Sequence, residues 1–106
     1  MENQLRTVLT EVCEAALKEI EGFQWLTHFV NYSKFPGSLK VVCIFDTNAN
    51  LASYMLMIDE GKLNVLVQEK LFAIGVNLKD IKRHLVFDTE EDCDKYHDGK
   101  WIDRLQ

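Results

Sequence analysis

The sequence predicts a small α/β (α+β) domain: a three-stranded mixed sheet, with an antiparallel hairpin, and helices packed on it. Three observations carry this. The run SLKVVCIFDT at 38–47 is apolar on both faces, as a central strand requires. An aromatic, β-branched run at 23–32 precedes it across a Pro36-Gly37 turn. Apolar residues recur at helical spacing before and after this pair. The expected order is α-β-β-α-α-β with a short helical tail.

Each element has its own signal. In 3–19, Leu5, Val8, Leu9, Val12 and Ala16, continued by Ile20, step by three and four, and Gly22 stops the helix. FQWLTHFVNY reads as a strand that places Phe23, Trp25 and Phe29 on one side and Leu26, His28, Val30 and Tyr32 on the other. SKFPGS at 33–38 is the hairpin loop. In the central strand Leu39, Val41, Cys43 and Phe45 share one face and Val42 and Ile44 the other; either face can receive the N-terminal helix.

Thr47 and Asn48 are N-cap candidates for a helix over 50–58, which carries Leu51, Tyr54, Met55 and Ile58. Asp59-Glu60-Gly61-Lys62 is a turn. A second helix over 63–74 ends at Gly75, with Val76 as the apolar residue beyond it. The alternation in 62–68, KLNVLVQ, also permits a strand. KRHLVF at 82–87 is the third strand. Thr89-Glu90-Glu91-Asp92 has the polar cap and acidic first turn of a helix, which Asp98-Gly99 ends.

A length of 106 residues fits one domain, spanning 1–106 with an acidic tail at 88–106. No apolar run reaches the roughly 18 residues of a membrane span. The first residues lack the basic lead and apolar core of a signal peptide, so a cytoplasmic protein is expected. Residues 88–98 hold six acids against one base, and the remaining 11 acids and 11 bases balance. That balance argues against a general electrostatic grip on nucleic acid. Cys13, Cys43 and Cys93 form no CxxC pair and read as free thiols, the first two in the core. The acids beside Cys93 raise its thiol pKa.

The triplet Phe45-Asp46-Thr47 returns as Phe87-Asp88-Thr89. Each copy closes a strand and opens a helix. On parallel neighbouring strands Asp46 and Asp88 would seat Mg²⁺ and support phosphoryl transfer; the competing role is helix capping. No GxSxG elbow, P-loop or dinucleotide fingerprint is present, and no cofactor is expected. Lys82, Arg83 and His84 belong to the one basic cluster, Lys79 to His84. Trp25, Phe29 and Tyr32 are core, interface or base-stacking residues.

The element order resembles type II KH domains and the BolA-like proteins that share their topology. KH domains clamp nucleic-acid backbone with a GxxG loop. The matching turn here is Glu60-Gly61-Lys62-Leu63, with one glycine and one base. The resemblance implies a single-stranded nucleic-acid binder using Lys62, Lys82, Arg83 and His84. The stretch EGFQWLTHFVNYSKFPGSLKVVCIFDT also resembles small bacterial proteins grouped as Fis-family regulators. The C-terminus DTEEDCDKYHDGKWIDRLQ is acidic and too short for a helix-turn-helix, so no DNA-binding role is carried over. The leading functional expectation is a non-enzymatic cytosolic module that binds a protein partner or itself, as a homodimer, away from membranes.

Overall fold

The computed structural model describes residues 2–56 and 61–105. The elements are α1 (Glu2–Glu19), β1 (Phe23–Phe29), β2 (Lys40–Phe45), α2 (Asn48–Leu56), α3 (Lys62–Ala73), β3 (Leu85–Thr89), α4 (Glu90–His97) and α5 (Trp101–Arg104). The order is the expected α-β-β-α-α-β followed by two short helices. The expected helix end at Ile58 and the turn residues Asp59 and Glu60 lie outside the described residues.

The sheet runs β1-β2-β3, with β1 antiparallel and β3 parallel to the central β2. Val41, Cys43 and Phe45 face α1 and α3 and join Leu5, Leu9, Val12, Leu63, Val67 and Leu71 in one core. The N-terminal helix therefore lies on this face of β2. Val42 and Ile44 point the other way and are also buried. The tail α4–α5 lies on that second side, where Trp101 meets Trp25 edge to face at 5.1 Å.

Three expectations are corrected. Phe23 and Trp25 do not share a face. Phe23 pairs with Phe45 and Trp25 with Ile44, so Gln24 is the extra residue of a β-bulge. Phe23 turns into the main core, while Trp25, Thr27 and Phe29 face the other side with Ile44, Val42 and Lys40. The strand also stops at Phe29. Asn31 accepts from Ser33 N and starts a 3₁₀ turn at Tyr32–Lys34.

The alternation in 62–68 belongs to α3 and not to a strand. Leu63, Val67 and Leu71 are fully buried at steps of four, whereas Val65 is 53% exposed. α3 ends in a Schellman motif: Val76 N donates to Leu71 O at 2.9 Å and Gly75 N to Phe72 O at 3.0 Å, with Gly75 at φ 84°. The third strand starts at Leu85, three residues later than expected. Lys82 and Arg83 sit instead in a 3₁₀ turn at Ile81–Arg83, and the first rung to β2 is Val41 N to His84 O at 2.7 Å.

Gly22 holds the top of the sheet together. Its carbonyl accepts from Asp46 N at 2.9 Å, which ties the α1–β1 turn to the end of β2. Its φ is +86°, and an added Cβ would stand 2.6 Å from Asn50 Cβ and 2.9 Å from Asp46 Oδ1. Gly22→Ala is expected to destabilise the fold by about 2–4 kcal/mol, from left-handed strain plus overpacking. Gly61→Ala meets no atom within 4 Å at ordinary φ and is expected to be neutral or slightly stabilising. Urea denaturation of the two variants checks the contrast.

Candidate functional site

The two FDT strands are parallel neighbours, so their carboxylates can be placed. Asp88 stands opposite Ile44 and Thr89 opposite Phe45. Asp46 follows Phe45, which puts it two residues, roughly 6–7 Å, further along the strand direction than Asp88. Each acid is already engaged. Asp46 Oδ1 accepts from Thr47 N at 2.6 Å and from Asn50 Nδ2 at 2.9 Å. These bonds, the Asn50 one foremost, hold its carboxyl below the usual carboxylate range. Asp88 receives a two-pronged bond from Arg104, Nε to Oδ2 at 2.6 Å and Nη2 to Oδ1 at 2.8 Å. Among the described residues no group of three or more His, Cys, Asp or Glu is placed to hold a metal ion.

The two helix starts beside these acids are bonded to one another. Thr47 Oγ1 accepts from Asn50 N and Thr89 Oγ1 from Asp92 N, so both threonines are N-caps. Thr89 Oγ1 donates to Asn48 Oδ1 at 2.6 Å, and Asn48 Nδ2 donates to Asp92 Oδ1 at 2.7 Å. Asn48 N donates to Glu91 Oε1, and Glu91 N to Asp46 O. The acidic run thus ties α2 to α4. Beside this network a cleft of about 300 Å³ opens between Glu19, Glu21, Asn50, Ser53, Tyr54 and Lys62. Its polar groups are largely committed inward: Asn50 to Asp46, Lys62 to Glu19 at 3.9 Å, and Tyr54 Oη accepting from Leu63 N.

The second sheet face has three cross-strand rows. The upper row is Trp25–Ile44–Asp88. It is covered: Trp25 Nε1 donates to Glu90 at 2.9 Å, Trp101 packs on Trp25, and Arg104 clamps Asp88. The next row is Thr27–Val42–Val86, and below it Phe29 stands beside Lys40, with His84 following across the β2–β3 boundary. These lower rows are open at their edges, with Phe29 48% and Val86 40% exposed, while the central Val42 is 4% exposed.

No protein-family model, curated protein or solved structure matches this chain.

The structure divides the residues singled out in the sequence. Phe29, Tyr32, Lys82, Arg83 and His84 gather at the lower end of the sheet. Phe29, Lys82 and Arg83 are exposed, and His84 is half-buried with Nδ1 bonded to Leu39 O at 2.7 Å. Tyr32 Oη donates to Glu2 at 2.7 Å, and this bond with that from His28 lowers the Glu2 pKa. Trp25 belongs to the covered upper row. Lys62 lies at the opposite end, in the first turn of α3. Sequence reasoning missed Arg104, whose partner is 16 residues away; a lone base in the last residues of an acidic tail was the available signal. It also missed Lys40, whose place opposite Phe29 depends on hairpin register.

The cysteines are sorted by burial. Cys43 is pushed up to about 12, by burial first and then by Cys13. Cys93 is fully buried and its pKa is raised by burial, with Arg104 opposing and Asp94, Asp88 and Glu90 adding. A chromogenic disulfide reagent is expected to titrate Cys13 alone in the native protein and all three thiols in denaturant. Arg104→Ala leaves Asp88 without its cation, and about 2–3 kcal/mol of stability should be lost. Tryptophan emission should shift red as Trp101 lifts from Trp25. Denaturation followed by fluorescence checks both outcomes.

Proposed function

We propose that this chain is a small, non-enzymatic binding module of the cytosol that takes a protein partner, a second copy included, on the lower rows of the second sheet face. The observation that carries this reading is the exposure of Phe29 and Val86 on a sheet whose upper row is closed over. An aromatic and a β-branched residue standing on rigid strands form a pre-ordered contact surface with little side-chain entropy left to lose. Lys40 stands on it, and Lys82 and Arg83 are exposed in the turn at the same end of the sheet, which favours acidic partners. The acids at the top of the sheet are used in capping and in the Arg104 clamp, which leaves the enzyme reading without a free carboxylate pair. Free thiols at Cys13, Cys43 and Cys93 suit a reducing compartment. No helix among the described residues is long and apolar enough to cross a membrane.

Phe29→Ser with Val86→Ser is the test pair. Both residues are partly exposed, so the cost in stability should stay within about 1 kcal/mol. Light scattering over a concentration series and capture by immobilised full-length chain are expected to show association that the double variant loses. Association retained in full by that variant would overturn the reading.

A second reading rests on the same end of the sheet. The segments 31–40 and 77–84 hold five bases (Lys34, Lys40, Lys79, Lys82 and Arg83) against Asp80, and none of the five has an ion-pair partner among the described residues. With Phe29 and Tyr32 nearby, this suits stacking and phosphate contact with a single-stranded nucleic acid. Single-stranded RNA should then be retarded by the wild type at low salt and released as salt rises, with Lys82→Glu and Arg83→Glu weakening it. No retardation at low salt rejects this second reading.

A further inference from the structure

We propose that the occupant of the lower rows is a second copy of this chain, related by a two-fold axis that sets the open edges of those rows, at Phe29, Lys40 and Val86, against the α4–α5 tail of the other copy. The inference rests on the binding-module reading and names its partner. The second sheet face has a step. Above, the tail adds a layer over Trp25, Ile44 and Asp88. Below, Phe29, Lys40 and Val86 stand open. Both halves of the step lie on one face, so a two-fold rotation brings the raised half of each copy over the lowered half of the other.

The chemistry of the two halves is complementary. The lower half carries Lys40, and the segments 31–40 and 77–84 at that end of the sheet hold five bases against one acid. The tail from Asp88 to Leu105 carries seven acids against three bases. Asp94, Asp98 and Asp103 are exposed on it. Apolar groups match as well. Tyr96, with Lys95 and Arg104 over its ring, is 62% and Ile102 77% exposed on the tail, and neither belongs to the core, while Phe29 and Val86 are exposed below. A two-fold arrangement satisfies both complementary pairs at once and leaves no half unused, so it closes at two copies. Head-to-tail stacking of the same halves would grow without limit.

Sedimentation and light scattering of the full chain test this, with two charge-swapped variants. One carries Lys40→Glu and Arg83→Glu, the other Asp94→Lys and Asp103→Lys. None of these four side chains makes an ion pair in the described structure, so folding should be preserved, and circular dichroism checks it. The wild type is expected to reach a defined dimer that weakens with salt. Each variant alone should dimerise on the order of a hundredfold more weakly, from like-charge contact. An equimolar mixture should restore a one-to-one dimer, because both half-interfaces are again of opposite sign. Three results would overturn the inference. A wild type monomeric at every concentration does so; if single-stranded RNA or another protein still perturbs the amides of Phe29 and Val86, the binding surface survives and only its occupant is wrong. Dimers unaffected by both swaps place the interface elsewhere. Mass that climbs without a plateau excludes the two-fold.

Discussion

The double-sided burial of β2 is the constraint on which the rest of the structure depends. Val41, Cys43 and Phe45 on one side and Val42 and Ile44 on the other are all at most 4% exposed. A strand of this kind needs a neighbour on each edge and a layer on each face. β1 and β3 supply the edges. α1 and α3 supply one layer, with Leu5, Val12, Leu63, Val67 and Leu71 against the strand. The second layer is much smaller, because α4 and α5 together are 12 residues long. Beyond this layer Phe29 and Val86 stay 48% and 40% exposed.

The second layer is also the one held by polar contacts. Trp25 and Trp101 supply the apolar contact, and the rest comes from the Arg104–Asp88 pair and the bonds among Asn48, Thr89, Glu91 and Asp92. Side-chain exposures of 18% and 16% make the Arg104–Asp88 pair one that water reaches weakly, so it resists screening better than a surface pair. Asp46 adds a pH dependence to this end of the molecule. Its folded pKa lies below the unfolded one, so its stabilising share is complete above the ordinary carboxylate range and fades as pH falls through the lowered value. Acid therefore loosens the top of the sheet, where Asp46 holds the turn to α2, and also the start of α1, where the lowered Glu2 carboxyl accepts from Tyr32 and His28.

Local signals carried the architecture. The i, i+3, i+4 stripe of α1, the apolar run of β2, the Thr89 cap with its acids and Gly75 with Val76 each made the element or boundary they indicated. What failed was register. The bulge at Gln24 has no signature in FQWLTH, because either side of the strand offers aromatic or aliphatic residues. One extra residue moved Phe23 into the core and left Trp25 and Phe29 on the other face. The start of β3 failed for a related reason: Lys82 and Arg83 are compatible with an edge strand, but the 3₁₀ turn closed by Arg83 N to Asp80 O delays the first rung to His84. The FDT echo was legible as two capped helices. That the two caps would bond to one another needed the parallel register of β2 and β3.

The same register explains why the charges separate. Parallel pairing puts the carboxyl ends of β2 and β3 side by side, and both hand over to helices whose first turns favour acids. Asp46, Glu90, Glu91 and Asp92 are therefore collected at one end by capping alone. Five of the eleven bases outside the acidic run (Lys34, Lys40, Lys79, Lys82 and Arg83) fall in the hairpin connection and the turn before β3, which pairing places together at the other end. A polarised molecule follows from helix capping and topology without any selection for binding. The tail's layer leaves Phe29 and Val86 exposed beside the basic end, on the same face as the acidic layer. In the dimer proposed above, charge separation would steer the two faces into opposite alignment at a distance, and the exposed Phe29, Val86, Tyr96 and Ile102 would supply the short-range contact.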